Sequence, residues 1–274
     1  MLKHFGIDSR KKNRYTLNED FFQEINTEQQ AYWLGFLFAD GFVGDQAYNN
    51  IVFSQAFNNK WAISHFANAI DFSGELRYVE PGRAGGYSSD QPHYVINFSS
   101  KKMVQDLNNL GLSHKKENRT KIPETIPEYL IHHFIRGIFD GDGSISYSLK
   151  SNTIHSSRNV SFVGNQSLMQ DISQWFNLQK TNLNNCNHSD KVKYLQYGSK
   201  NDIMSVFLKL YQDATIFLPR KFFRWSFILG DIGGHPLNEN EVNLFQGCLE
   251  LFSRLTVEVN MQLASEENLT EDRW

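Results

Sequence analysis

Cysteine is nearly missing: Cys186 and Cys248 are the only two in 274 residues. That excludes a disulfide framework and any zinc site built on cysteine, and the nine histidines show no paired Cys/His metal spacing. The adjacent His132 and His133 read as partly buried helix residues with no further ligand at metal spacing. Any metal should therefore be held by oxygen. Long apolar runs are lacking too, since none approaches the roughly 18 to 20 residues that span a bilayer. The start, MLKHFGIDSRKKNRY, has no apolar stretch of secretory type. The expectation is an intracellular, soluble chain with no membrane partner. Excess positive charge is also absent: the net charge is -3, which counts against nucleic-acid binding, because phosphate contacts need Lys and Arg. The distribution weakens that objection. Residues 235–274 carry eight acids against Arg254 and Arg273, so residues 1–234 hold 22 acids and 25 bases.

What is present is a core-forming composition, 40% hydrophobic and 14% aromatic, enough for one large domain or two smaller ones. It also contains a repeat. AYWLGFLFADGFV (31–43) aligns with HFIRGIFDGDGSI (133–145), so that Gly35 matches Gly137, Asp40 matches Asp142 and Gly41 matches Gly143 at a constant offset of 102 residues. An offset of that length is a domain-sized duplication. Strand-like runs follow the first copy at Asn50 to Gln55 and Glu75 to Glu80 around a helical stretch near Asn59 to Ile70. A strand at His93 to Ser100 and a helix at Lys101 to Leu110 complete it. After the second copy come Ser144 to Leu149, Asn159 to Val163, a helix from about Gln166 to Phe176, strands near Leu183 to Asn187 and Lys193 to Tyr197, and a helix near Asn201 to Tyr211. Each unit reads αββαββα, and a pseudo-two-fold axis should relate the two.

The expected organisation is a basic arm at 1–16, a first half at 17–114, a Pro-punctuated linker at 115–127 and a second half at 128–230. An acidic helical extension occupies 231–274, with Val242, Phe245, Leu249, Phe252 and Leu255 on one face. The aromatic group Phe217, Phe222, Phe223, Trp225 and Phe227 reads as core, not as a platform for stacking bases.

Both repeated segments are apolar helices with an acid in the last turn. The helix dipole disfavours a carboxylate there, so an Asp in both copies needs a compensating reason. A single copy is well explained as a core helix leaving through an Asp-Gly turn; the duplication with matching downstream structure is not. Gly35, Ala39, Gly137 and Gly141 recur every four residues, which lets two helix backbones approach closely. If the helices pack together, Asp40 and Asp142 emerge side by side, and a divalent cation resolves their repulsion.

The two segments resemble the LAGLIDADG motif of the homing endonucleases, over about residues 15–230. The resemblance implies an α+β fold in which the motif helices form the interface and curved antiparallel sheets make a saddle over double-stranded DNA. It also implies a monomer that cuts a long, non-palindromic site using Mg²⁺ or Mn²⁺, leaving short 3′ overhangs. The metal-binding acids fall on Asp40 and Asp142, with the backbone of Ala39 and Gly141 beside them. The earlier acid of the motif falls on Phe38 in one copy and Asp140 in the other, so the halves are unequal. Water-ordering residues fall on Gln55 and Asn165, and pocket lysines on Lys116 or Lys115 and on Lys221. Arg77, Lys150, Arg158, Lys191, Lys193, Tyr194 and Gln196 are the candidate DNA contacts. No splicing-domain sequence is evident, so the chain reads as freestanding. The runner-up is an intron RNA maturase or a DNA-binding regulator on the same fold; retention of both acids favours the enzyme. A protein-interaction module built on the acidic helix is a third class.

Overall fold

The computed structural model describes residues 15–44, 49–82, 91–149, 156–178, 182–186 and 189–271. Lys150 and nearly all of the basic arm lie outside them. The first half runs α1 (Glu28–Asp40), β1 (Gly41–Val43), β2 (Asn50–Ala56), α2 (Lys60–Ala69), β3 (Arg77–Val79), β4 (His93–Ser99) and α3 (Lys101–Asn109). The second repeats the order with α4 (Ile131–Asp142), β5 (Ser144–Leu149), β6 (Ser156–Asn165), α5 (Gln166–Phe176), β7 (Asn182–Cys186), β8 (Ser189–Tyr197) and α6 (Lys200–Tyr211). Three helices follow: α7 (Pro219–Phe222), α8 (Trp225–Gly233) and α9 (Glu239–Glu271). The architecture is α+β, with two antiparallel four-stranded sheets ordered β1-β2-β4-β3 and β5-β6-β8-β7.

Local chemistry sets the helix starts. The Thr27 hydroxyl accepts from the Gln30 amide while the Gln30 side chain accepts from the Thr27 amide, a reciprocal cap that fixes the start of α1. Asn165 and Ser199 cap α5 and α6 in the same sense. Within the sheets, Ile51 and Phe53 pair with Phe98 and Ile96 and are buried against the helices. Val160 and Phe162, paired with Tyr197 and Leu195, do the same in the second half. The intervening residues face away from the helices.

The two motif helices pack against each other at the centre. Every residue of α1 from Ala31 to Ala39 is buried, which is why its sequence is apolar all round and shows no polar stripe. The contact is backbone on backbone: a Cβ added to Gly35 would lie 1.9 Å from the Phe134 carbonyl oxygen, and one added to Gly137 would lie 2.0 Å from that of Tyr32. These contacts are mirror images under the 102-residue offset. Below them, Ala39 faces Gly141.

The apolar face of α9 differs from the sequence expectation. Cys248, Leu251, Leu255 and Val259 are buried, with Phe252 stacked on Phe222 at 4.8 Å, whereas Val242 and Leu249 are exposed. The helix lies on α6 and α8, so its buried stripe is rotated by the two surfaces it must fit together. Phe227 is likewise exposed, unlike Phe217, Phe222 and Trp225. Among the described residues no helix is long and apolar enough to cross a membrane.

Because backbone oxygens cannot move aside as a side chain can, Gly35→Ala or Gly137→Ala should destabilise the chain by about 3 kcal/mol. Urea unfolding is the measurement, with Ala39→Gly as a mild control.

Candidate active site

Asp40 and Asp142 are the last residues of α1 and α4. Gly41 and Gly143 follow in extended conformation, with φ of -79° and -75°, so their need for glycine is not a left-handed turn. It is close approach, since a Cβ would lie 2.7 Å from the Leu37 oxygen in one case and 2.5 Å from the Phe139 oxygen in the other. At the base of the interface a Cβ on Gly141 would lie 2.4 Å from the Ala39 methyl and 3.5 Å from Asp40 Oδ2. The small residues therefore bring the Asp40 carboxylate beside the chain that carries Asp142. Burial pushes the Asp142 carboxyl up to about 6; Lys116, 3.8 Å away, opposes the rise and Asp40 adds to it.

Helix ends leave unpaired carbonyls, and here two cations take them. Arg119 donates to the oxygens of Leu37 (3.1 Å), Phe38 (2.6 Å) and Gly41 (2.8 Å). Lys221 Nζ donates to those of Phe139 (2.6 Å), Asp140 (2.8 Å) and Gly143 (2.7 Å). Both side chains are buried, and burial lowers Arg119 to about 10 and Lys221 to about 8. These three carbonyls match at the same offset, so Arg119, and not Lys116, is the counterpart of Lys221, which in addition reaches the Gly141 oxygen at 3.4 Å. Sequence reasoning missed Arg119, although the repeat offset points straight to it.

Lys116 has a different place. It comes from the connector after the first half yet lies against the acid of the second. The converse contact starts at Asp40, where Gln55 Nε2 donates to Oδ2 at 2.7 Å and Asn59 Nδ2 donates to Gln55 Oε1 at 3.0 Å. Arg220, in α7, donates to Asn59 Oδ1. Asp142 is thus approached directly by a cation from the connector, whereas Asp40 is linked to Arg220 only through Gln55 and Asn59.

Asn165 does not reproduce Gln55. The strand registers, Phe53 with Ile96 and Phe162 with Leu195, set Gln55 level with Gly164. Asn165 instead accepts from the Ser167 amide and donates to the Glu117 carbonyl oxygen. With no side chain at Gly164, a cleft of about 410 Å³ opens beside Asp142, lined by Lys116, Glu117, Asn165 and Lys191 among others.

The expected DNA contacts separate by face. Arg77, paired with Val95, and Tyr194 and Gln196, paired with Val163 and Ser161, lie on the sheet faces turned from the helices. Ser54, Asn97 and Asn184 share those faces, whose lining is mostly neutral and polar. Arg158 is on the opposite face, level with the buried Val160 and Phe162, and is ion-paired to Asp231 of α8. An arginine alternating with core residues is turned inward whatever its charge, so the open-face expectation fails for it. Lys191 and Lys193 share the parity of Leu195, on the helix side near the strand end, and their ammonium groups contact Glu117 and Asn185. Lys150 is outside the described residues.

The architecture, two matched αββαββα units joined through paired helices, is that of single-chain LAGLIDADG structures. A crystal structure of the LAGLIDADG homing endonuclease I-GzeII in complex with its DNA target has a TM-score of 0.51 at 15% identity, over 82% of this chain and 97% of its own. I-SmaMI bound to an uncleaved DNA target in the presence of calcium ions has a TM-score of 0.50 at 12% identity, over 80% and 96%. At such identities the likeness is one of fold. No family model matches the chain, and no curated protein matches it.

A carboxyl whose folded value is raised favours the protonated form, so its contribution to stability is full below about pH 4 and is lost as pH rises through 6. Asp142→Asn should therefore be more stable than the parent at pH 7, with the gap closing toward pH 4. Urea unfolding at both pH values in a chelating buffer checks this.

Proposed function

We propose that this chain is a site-specific endonuclease that hydrolyses both strands of double-stranded DNA, each half cutting one strand, as a monomer whose biological role is homing. The observation that carries the reading is the placing of Asp40 and Asp142 together at the ends of two helices packed backbone to backbone. Repulsion, the helix dipoles and, at Asp142, burial oppose that arrangement; Lys116 offsets part of the cost, and a ligand of opposite charge would offset more.

The donor set fits a hard divalent cation, magnesium or manganese: two carboxylates, together with backbone oxygens of Ala39 and of Gly141, the latter also reached by Lys221 Nζ at 3.4 Å. Arg119 takes the carbonyls of Leu37, Phe38 and Gly41, on either side of Ala39. When bound, such ions acidify water and offset charge on the leaving 3′ oxygen. The remaining roles belong to the chain. Gln55 fixes the Asp40 carboxylate, its own amide oxygen held by Asn59. Lys116 places a positive charge beside Asp142, where a phosphate would lie. Arg119 and Lys221 hold the helix ends rigid. Arg77, Tyr194 and Gln196, with the neutral Asn and Ser around them, read base edges, and hydrogen-bonding side chains suit that task better than point charges. Lys191 and Lys193 serve the backbone near the cut.

Cleavage of a long DNA library with Mg²⁺ tests the proposal. Asp40→Asn and Asp142→Asn should each reduce double-strand cleavage by at least about a hundredfold with binding retained in gel-shift assays. A wild-type chain that never nicks DNA yet binds a structured RNA tightly would overturn the reading. The halves should also respond unequally. With the two strands labelled separately, Gln55→Ala should slow one strand by about 10- to 100-fold and leave the strand served by Asp142 nearly unchanged, because Gly164 has no matching amide to lose.

A further inference from the structure

A second cluster of ligating groups lies at the other end of α4. His132 and His133 precede Asp142 by ten and nine residues, a distance of about 15 Å along the helix. Both are only 4% exposed. Consecutive helical side chains diverge by about 100°, yet both rings, 3.8 Å apart, turn to one carboxylate. His132 Nε2 is 2.5 Å from Asp213 Oδ1, and His133 Nε2 is 3.9 Å from Asp213 Oδ2. The second separation is too long for a hydrogen bond. Buried His133 Nδ1 has no hydrogen-bond partner either, with Glu28 Oε1 3.6 Å away. The three ligand atoms lie within 4.8 Å of one another, and no other such group of His, Cys, Asp and Glu occurs among the described residues.

We propose that His132, His133 and Asp213 bind one divalent transition-metal cation of the zinc type, at a site separate from Asp40 and Asp142, with water completing the coordination. Two imidazoles and a carboxylate are a borderline-soft set that suits zinc or cobalt and not magnesium. Burial favours the neutral, ligating form of both rings, against the pull of Asp213; the charge of Arg136 adds to the effect of burial, and His133 is held down to about 3. Arg136 itself is engaged by Glu28 and by the carbonyls of Leu210 and Ile216, so its charge is partly offset before a cation arrives. The Asp213 side chain is 57% exposed, which leaves a way in from solvent. The cation would tie the start of α4 to the segment after α6. That segment runs on to the Leu218 amide, bonded to Asp140, and to Lys221 beneath Asp142.

The full chain, stripped with a chelator, is titrated with Co²⁺ in excess Mg²⁺, and the visible absorption of the bound cobalt is read. One equivalent per chain is expected. Asp213→Asn and, separately, His133→Gln should weaken uptake by about tenfold or more. The Asp40→Asn/Asp142→Asn double variant should bind as the parent does. Asp213 is exposed, so its variant should keep the parental far-ultraviolet dichroism. The site is refuted by a parent that develops no absorption, by an Asp213→Asn chain that binds like the parent, or by loss of binding in the double variant. None of these outcomes bears on DNA cleavage.

Discussion

The contact between two helix backbones at Gly35 and Gly137 is the constraint on which the structure depends. With carbonyl oxygens where side chains would otherwise be, neither helix can rotate or slide without collision. Each therefore ends at a fixed height, and whatever ends it is brought to its counterpart. Two sheets hang from this junction. The separation of their open faces and the nearness of the two acids are consequences of one packing decision.

Holding charge at that junction needs compensation, and the two halves supply it differently. Arg119 and Lys221 perform the same task on matching carbonyls. Higher in the interface the symmetry breaks. Phe38 packs on Phe134, while at the matching position Asp140 is fully buried, accepting from the Tyr32 hydroxyl and the Leu218 amide. Leu34 is likewise matched by Arg136, which is buried against Glu28 and two carbonyls. The second half thus carries a polar network where the first carries hydrocarbon. Buried polar groups stabilise little when satisfied and cost much when not, so such a network specifies how the halves meet more than how strongly.

Most elements of both repeats were legible in the sequence because strands such as β2 alternate and α1, α3, α5 and α6 are capped by Thr, Ser or Asn; α5 over Gln166–Phe176 falls where periodicity put it. Asp40, Asp142 and the glycines were legible because duplication marks them twice. Arg119 was not, since a lone arginine in a polar linker looks solvated until the offset is carried beyond the motif. Asn165 was misplaced because loop lengths differ between the halves and only the strand register identifies Gly164 as the equivalent of Gln55. Arg158 was misread by charge where alternation with Val160 and Phe162 would have turned it inward. The helix α8 was also readable, for Trp225, Ile228, Leu229 and Ile232 have helical spacing, but aromatic density drew attention to core and away from period. Asp213 lies 80 residues from His133, beyond the reach of any spacing rule.

The crossed cations bear on how such a chain could be rearranged in evolution. Lys116, in the connector after α3, lies against the acid of the second half, while Arg220, after α6, reaches the first half through Asn59. The covalent repeat is therefore not the unit of exchange. A recombinant that joined one parent's first repeat to another's second would inherit Asp142 with a foreign lysine and the Asp40–Gln55–Asn59 chain with a foreign arginine, however well the helices matched. Crossovers that respect the centres must carry the connectors across with the opposite half, so lineages should drift in whole chains more readily than in halves.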